Sequence, residues 1–461
     1  MRISPAIAAG HPATADAGLE ILREGGSAAD AAVAASLASC AAEVVMTGLA
    51  GGGHAIWVDG ASGRATLLDF FVAVPGLGRT PREPTLVELD VPFGTELIHY
   101  AVGIASCAVP GVPAGLDALW RKHGRLPWAR LVAPAIRIAR GGVEMPAAHA
   151  ACLEMLAPVM TMREGAAIFA PGGRLLEAGE TLRQPRLADA FELLEDEGGR
   201  SFYEGSFARM LLALMAERDG LVTPEDLAAY EPRWLDPDEG TFAGARVVTR
   251  GGLAPLLAAL GRLPPLRGLR PAERTVALAL ALVERDTGGD TTSLAVVDAD
   301  GNACALTTSL GLGSGDFLPG LDVHLNSMLG EAELLVGPLE PGARMESMMA
   351  PTAAIDGDGV ALVGGSAGGS RLRSALTQVL AGILDEGLSA QDAVDRPRLH
   401  PVGCVVHVEP GFDEDALAAL AAAGFSLRQW AARHHYFGGV SVVGRQGPAA
   451  DPRRSGAARR L

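Results

Sequence analysis

The run Ala28 to Ala42, AADAAVAASLASCAA, constrains this chain more than any other segment. Its residues suit a helix, it carries a single charge at Asp30, and no side chain exceeds leucine in size. A helix with no polar face must be buried on every side, and such small side chains admit its neighbours at close range. The chain therefore needs a deep core. At 461 residues it can bury roughly 75% of its unfolded surface, so no disulfide or metal staple is required.

The surrounding pattern supplies that core. His11 to Glu24 places Ala15, Leu19 and Leu22 on one helical face, Gly25-Gly26 stops it, and Ser27 can cap the next helix. Further helices read at Gly115 to His123, Trp128 to Arg140, Leu187 to Glu197, Ser206 to Arg218 and Arg371 to Glu386. Thr223-Pro224-Glu225-Asp226 is a helix start, with proline at the first position and acids in the first turn. Gly48 to Gly53 reads as a glycine loop entering a strand. Hairpins follow at His54–Val58 with Ala65–Phe71, at Thr292–Val297 with Ala303–Thr308, and about Asp356-Gly357-Asp358-Gly359. Strands grouped in hairpins with helices between the groups predict an α+β chain of antiparallel sheets covered by helices.

Composition excludes several functions. The net charge of −16 opposes a nucleic-acid partner, which would meet a basic footprint. The arginine-rich end, Arg453, Arg454, Arg459 and Arg460, reads as a solvated or salt-bridged terminus. Five scattered cysteines without a C-x-x-C motif form neither a disulfide framework nor a zinc site. Ten histidines give no H-E-x-x-H; His434 and His435, if on a strand, would point to opposite faces. No metal or cofactor is implied. No segment has the apolar length to span a bilayer, so the expected location is the cytoplasm.

Two motifs could carry chemistry. Gly364-Gly365-Ser366-Ala367-Gly368 fits a G-x-S-x-G nucleophile elbow between a strand and a helix, with Asp413 or Asp415 and His434 or His435 downstream as partners. The same glycines could instead be a tight strand–helix turn, or could offer backbone N–H groups to an oxyanion formed on another nucleophile. The second motif is Asp290-Thr291-Thr292-Ser293, at the start of a strand. On composition it is ordinary β-rich sequence. A threonine becomes a nucleophile when its own α-amino group serves as base, which demands cleavage of the preceding peptide bond.

Taken in order, these segments resemble the γ-glutamyltransferase (γ-glutamyltranspeptidase) family of N-terminal-nucleophile hydrolases. The resemblance covers nearly the whole chain. It runs through Ala9-Gly10-His11-Pro12, Glu20 to Ala34, Gly51-Gly52-Gly53, Leu68-Asp69-Phe70, Val109 to Pro113 and Leu221 to Tyr230. It continues in Asp290-Thr291-Thr292, Leu325-Asn326, Ser347 to Thr352, Gly368 to Arg371 and Asp451-Pro452-Arg453-Arg454. The resemblance implies a four-layer αββα sandwich and a precursor that cuts itself between Asp290 and Thr291. Residues 1–290 would form the large chain and 291–461 the small chain, both in one fused core. Thr291 is then the nucleophile, Ser309 its hydroxyl neighbour, and Gly368 and Gly369 the oxyanion loop.

The departures from the family bear on substrate. Phe71 stands where the family has its carboxylate-clamping arginine, and Met348 replaces the second of two serines, of which Ser347 is the first. Met328 and Glu331 take the places of the residues near the substrate amine, and the asparagine expected around Gly311 is missing. A phenyl ring cannot make the bidentate pair a guanidinium makes. The resemblance therefore implies an acyltransferase or amidohydrolase acting on a small-molecule amide or γ-glutamyl-like substrate, with donor specificity altered from γ-glutamyl. The open alternatives are a serine hydrolase using Ser366, and an uncleaved, non-catalytic binding or scaffold protein.

Overall fold

The computed structural model describes residues 3–80, 84–93, 96–253, 255–283, 291–369 and 371–461. Asp290 and Ser370 lie outside the described residues.

Two antiparallel sheets lie face to face. The seven strands of the first run, in spatial order, Ala457–Arg460, Ala6–Ala9, Thr292–Val297, Ala303–Ser309, Gly52–Val58, Ala65–Phe70 and Arg233–Leu235. The six of the second are Gly447–Ala450, Gly439–Gly444, Gly359–Ala367, Thr352–Asp356, Ala245–Thr249 and Asp238–Phe242. The three expected hairpins are present, and the strands Ala6–Ala9 and Ala245–Thr249 join them. Both sheets combine strands from either side of Thr291.

Alternation along each strand sorts the side chains into layers. Leu294, Val296, Cys304, Leu306, Ala55 and Trp57 face outward into the largest core. That core also holds the helices Pro12–Arg23, Ala28–Ala42, Trp128–Gly141 and Pro185–Glu197. Ala295, Val297, Ala303, Ala305, Ile56 and Val58 face inward and meet Val248, Ala353, Val363 and Val443 of the second sheet. Beyond that sheet, Leu372, Leu376 and Val379 of the helix Arg371–Leu384 pack with Leu256 and Leu260 in a third core. The order is helices, sheet, sheet, helices.

The helix Ala28–Ala42 is buried along its whole length. Ser27 caps it: Asp30 N–H donates to Ser27 Oγ at 3.1 Å, while Asp30 Oδ2 accepts from Ser27 N–H at 2.9 Å. Thr223 and Asp226 make the same reciprocal box at the helix Pro224–Ala229. Among the described residues no helix is long and apolar enough to cross a membrane.

One local expectation is corrected and one is narrowed to a single alternative. His434 and His435 do not sit on a strand. They open the single turn His435–Phe437, and their rings stand 4.1 Å apart. Arg453 and Arg454 are salt-bridged or hydrogen-bonded but not solvated: Arg453 is buried against Glu409 and Asp451, and the Arg454 guanidinium reaches Met46 Sδ at 3.1 Å. The turn Pro452–Arg454, capped by Asp451, folds both inward.

Candidate active site

Thr291 immediately precedes the strand Thr292–Val297, in the middle of the first sheet. Its side chain is on the inward-facing parity, with Ser293, Ala295 and Val297. Thr292 pairs with Thr308, which brings Thr291 level with Ser309 on the neighbouring strand. The next two strands extend the row to Gly52 and Phe71. One step deeper lies a second polar row, Ser293, Thr307, His54 and Asp69, set by the same register.

The second sheet supplies the glycine loop. The strand Gly359–Ala367 ends there, and the helix Arg371–Leu384 begins four residues later. Gly368 and Gly369 have φ of 115° and 55°, which favour glycine. A Cβ at Gly368 would also stand 3.0 Å from Gly438 Cα. In this conformation Gly368 N–H donates to Thr291 Oγ1 at 2.9 Å. The adjoining helix N-terminus favours negative charge at the same place.

A narrow cleft opens over Thr291. Its lining joins Phe71, Ser309, Met328, Glu331, Ser347, Met348 and Gly369 with Leu334, Met349 and Leu372. The residues selected from sequence thus converge from six separate segments of the chain. Ser309 Oγ accepts from Gly311 N–H at 2.9 Å, and Ser347 Oγ accepts from Met349 N–H at 3.1 Å. At Gly311 a Cβ would fall 2.1 Å from Glu331 Oε1. The Glu331 carboxylate therefore lies against the bare backbone where the asparagine is missing. Among the described residues of the lining, Glu331 is the only charged one.

Two guanidinium groups approach the cleft but are turned to carbonyl groups. Arg344 donates to Phe71 O and to Glu231 O, both at 2.6 Å, with its guanidinium over the Tyr230 ring. Arg250 donates to Ser347 O at 2.6 Å and to Gly251 O at 2.8 Å. Beneath Phe71, the His54 ring stacks at 5.5 Å with Nδ1 3.4 Å from Asp69. Burial, with the charges of Arg250 and Arg344, holds His54 well below the usual imidazole range, so it is neutral.

Ser366 lies within the strand and is fully buried, its hydroxyl donating to Ala367 O at 3.1 Å. It is not among the residues lining the Thr291 cleft. Asp413, its possible downstream partner, caps the helix Glu414–Ala422. Among the described residues no group of three or more His, Cys, Asp or Glu side chains is arranged to hold a metal.

Sequence reasoning missed Glu43. This carboxyl group is buried on the other face of the strand Thr292–Val297, where Thr292 Oγ1 donates to it at 2.5 Å and Thr14 Oγ1 at 2.7 Å. Gly10 makes the room: a Cβ there would lie 2.3 Å from Glu43 Oε2. Burial pushes the Glu43 carboxyl up to about 6 despite both hydroxyl donors and Arg454. The signal was present, because Glu43 is the only charged side chain between Asp30 and Asp59. A lone acid in an apolar run is seldom buried without partners.

Comparison with known proteins agrees with this geometry. The family model described as Gamma-glutamyltranspeptidase matches residues 14–265 and 270–461. The Acylase ACY 1 proenzyme of Pseudomonas sp. (strain V22) is 28% identical, over 90% of this chain and 86% of its own length. The Glutathione hydrolase proenzyme of Escherichia coli (strain K12) is also 28% identical, over 88% of this chain and 83% of its own. The crystal structure of cephalosporin acylase from Bacillus halodurans superimposes with a TM-score of 0.82 at 25% identity, covering 99% of this chain and 96% of that one. Sequence, layer order and the matched family model lead to one assignment: the chain belongs to the gamma-glutamyltranspeptidase family of N-terminal-nucleophile hydrolases and acyltransferases.

Proposed function

We propose that this enzyme cleaves or transfers an apolar acyl group, using Thr291 freed by scission of the Asp290–Thr291 bond. The observation that supports it best is the 2.9 Å contact from Gly368 N–H to Thr291 Oγ1, at the mouth of a cleft that Phe71, Met328, Leu334, Met348, Met349 and Leu372 make largely apolar. In maturation, Thr291 Oγ attacks the Asp290 carbonyl carbon and the C–N bond breaks, leaving an ester. Water then cleaves the ester, giving the Asp290 carboxylate and a free Thr291 α-amine. Residues 1–290 and 291–461 become the large and small chains of a heterodimer.

In turnover the α-amine takes the hydroxyl proton as Oγ bonds to the substrate carbonyl carbon. The oxyanion accepts from Gly368 and Gly369 N–H. Its collapse expels the substrate amine, which carries the proton away. Water or an acceptor amine then releases the acyl group from Thr291. Ser309, level with Thr291, keeps a polar edge beside the nucleophile. These steps use only groups of the chain and its substrates.

The relatives' names divide between acylase and glutathione hydrolase, and the cleft favours the acylase type. A γ-glutamyl donor would bring its α-carboxylate to Phe71, Met328 and Met348, with Glu331 as a like charge. Arg250 and Arg344 are committed to carbonyl groups. Each charge-assisted hydrogen bond forgone is worth about 1.5–3 kcal/mol of binding.

The test is intact mass under denaturing conditions with N-terminal sequencing, followed by turnover of apolar acyl and γ-glutamyl p-nitroanilides. We expect two chains meeting at Asp290–Thr291, faster turnover of the apolar donors, loss of both processing and activity in Thr291→Ala, and retention of both in Ser366→Ala. An intact, inert chain would favour a binding or scaffold protein. Activity that survives Thr291→Ala and is lost in Ser366→Ala would make it a serine hydrolase.

A further inference from the structure

The cleft over Thr291 is too small for a substrate as it stands, with about 20 Å³ of water-accessible space. One side of it is an apolar wall. Phe71, Met328, Leu334, Met348 and Met349 line the cleft and belong to one buried cluster with Val72, Val74 and Met345, against which Leu329 packs. Val74 and Leu329 also face a surface groove of about 380 Å³. The two cavities share this wall. Met328 and Leu329 are consecutive on one short turn, as are Leu334 and Leu335 across the end of the next, and in each pair the first residue lines the cleft and the second the groove.

The groove is lined mostly by apolar side chains. Leu86, Leu221, Leu335 and Leu339 line it, and Leu335 and Leu339 remain 38% and 42% exposed. Arg79 is the only charged residue among its described lining, and it donates to Gly220 O at 2.8 Å. Methionine makes a deformable wall, because its unbranched thioether moves between rotamers at little cost.

We infer that the groove is the distal half of the acyl site, and that its occupant is a straight aliphatic acyl chain. The inference rests on the assignment of Thr291 as the acylated residue. With the carbonyl at Thr291 and Gly368, the chain displaces the Met328 and Met348 side chains and lays its tail on Leu329, Leu335 and Leu339. The substrates are then N-acyl amides of medium-length fatty acids. Each methylene buried raises kcat/KM by up to about fourfold, from 0.8 kcal/mol per CH₂.

The experiment uses the processed protein and a series of acetyl, butanoyl, hexanoyl, octanoyl and decanoyl p-nitroanilides, with Leu339→Glu and Leu335→Glu as groove variants. Both positions are partly exposed, so neither change buries a charge in the core. The expected result is a rise in kcat/KM of at least fivefold per two-carbon step through octanoyl. The octanoyl-to-acetyl ratio should fall at least tenfold in either variant. Decanoate binding, measured by calorimetry without turnover, should weaken by a similar factor. A flat or falling series, or variants that lower every donor equally, would overturn the inference and leave Thr291 as the nucleophile. Chain-length dependence that follows the departing amine at constant acyl group would also overturn it. Processed protein in which no donor acylates Thr291 would overturn both readings.

Discussion

Substituting Thr292 with valine removes one hydroxyl and keeps the β-branched shape that suits a strand. That hydroxyl donates to Glu43 Oε2 at 2.5 Å in a fully buried site. The consequence depends on pH. Burial raises the folded Glu43 carboxyl from an ordinary 4.5 to about 6. Between those values the folded state keeps a proton that the unfolded state has lost, so stability falls as pH rises. At 1.36 kcal/mol per pKa unit the loss is about 2 kcal/mol, complete above the folded value. Without the Thr292 hydroxyl the ionised form loses a donor and this loss deepens. The valine variant forfeits about 0.5–1.5 kcal/mol at pH 4.5, as for a neutral hydrogen bond, and about 1.5–3 kcal/mol at pH 8, as for a charged one. With an unfolding entropy of about 2 cal/mol/K per residue, a chain this long shifts by about 1 °C per kcal/mol. Scanning calorimetry at one fixed rate should therefore show a deficit of about 1 °C at pH 4.5 that grows to 2–3 °C at pH 8. Thr292→Ser should follow the wild type. A deficit of equal size at both pH values would refute the reasoning.

Three further outcomes are expected. Gly368→Ala puts a Cβ 3.0 Å from Gly438 Cα at a φ of 115°, so the amide swings off Thr291 and kcat falls by about 10²–10³ while KM changes little. Gly365→Ala drives a methyl group to within 2.1 Å of Ser293 Oγ between the sheets, and should cost about 1–3 kcal/mol in thermal or denaturant unfolding. Arg453→Met leaves Glu409 and Asp451 buried without that guanidinium, and should cost about 3–5 kcal/mol by the same measurement.

Much of the fold was legible because its signals are local. Ser27 and Thr223 announced their helices by capping chemistry that lies within three residues of each start. The hairpins at Asp298–Asn302 and Asp356–Gly359 carried their turns in sequence. Ala6–Ala9 carries no such signal: four residues between two strands distant in sequence owe their conformation to neighbours. The cleft was legible only through resemblance, since nothing at Phe71 or Met328 shows from composition that they face the same threonine. Glu43 escaped because its partners, Thr14, Thr292 and Arg454, lie far from it in sequence. At the arginine-rich end composition left solvation and salt-bridging open, and Asp451 and Glu409 decide for salt-bridging by drawing Arg453 into the core.

The pairing of Ala457–Arg460 with Ala6–Ala9 offers a way around the proposed self-cleavage. Ala6 lies opposite Arg460, and Leu461 N–H donates to Pro5 O at 3.0 Å, so the two ends of the described chain are neighbours. Ends that close tolerate being joined. A gene rearranged to begin with Met-Thr291, run through Leu461, cross a short linker to Ile3 and stop before Thr291 would encode the same sheets in a different order. Removal of the initiator methionine would then expose the threonine amine at synthesis. Such a circular permutant would be born with the proposed nucleophile armed, as one continuous polypeptide.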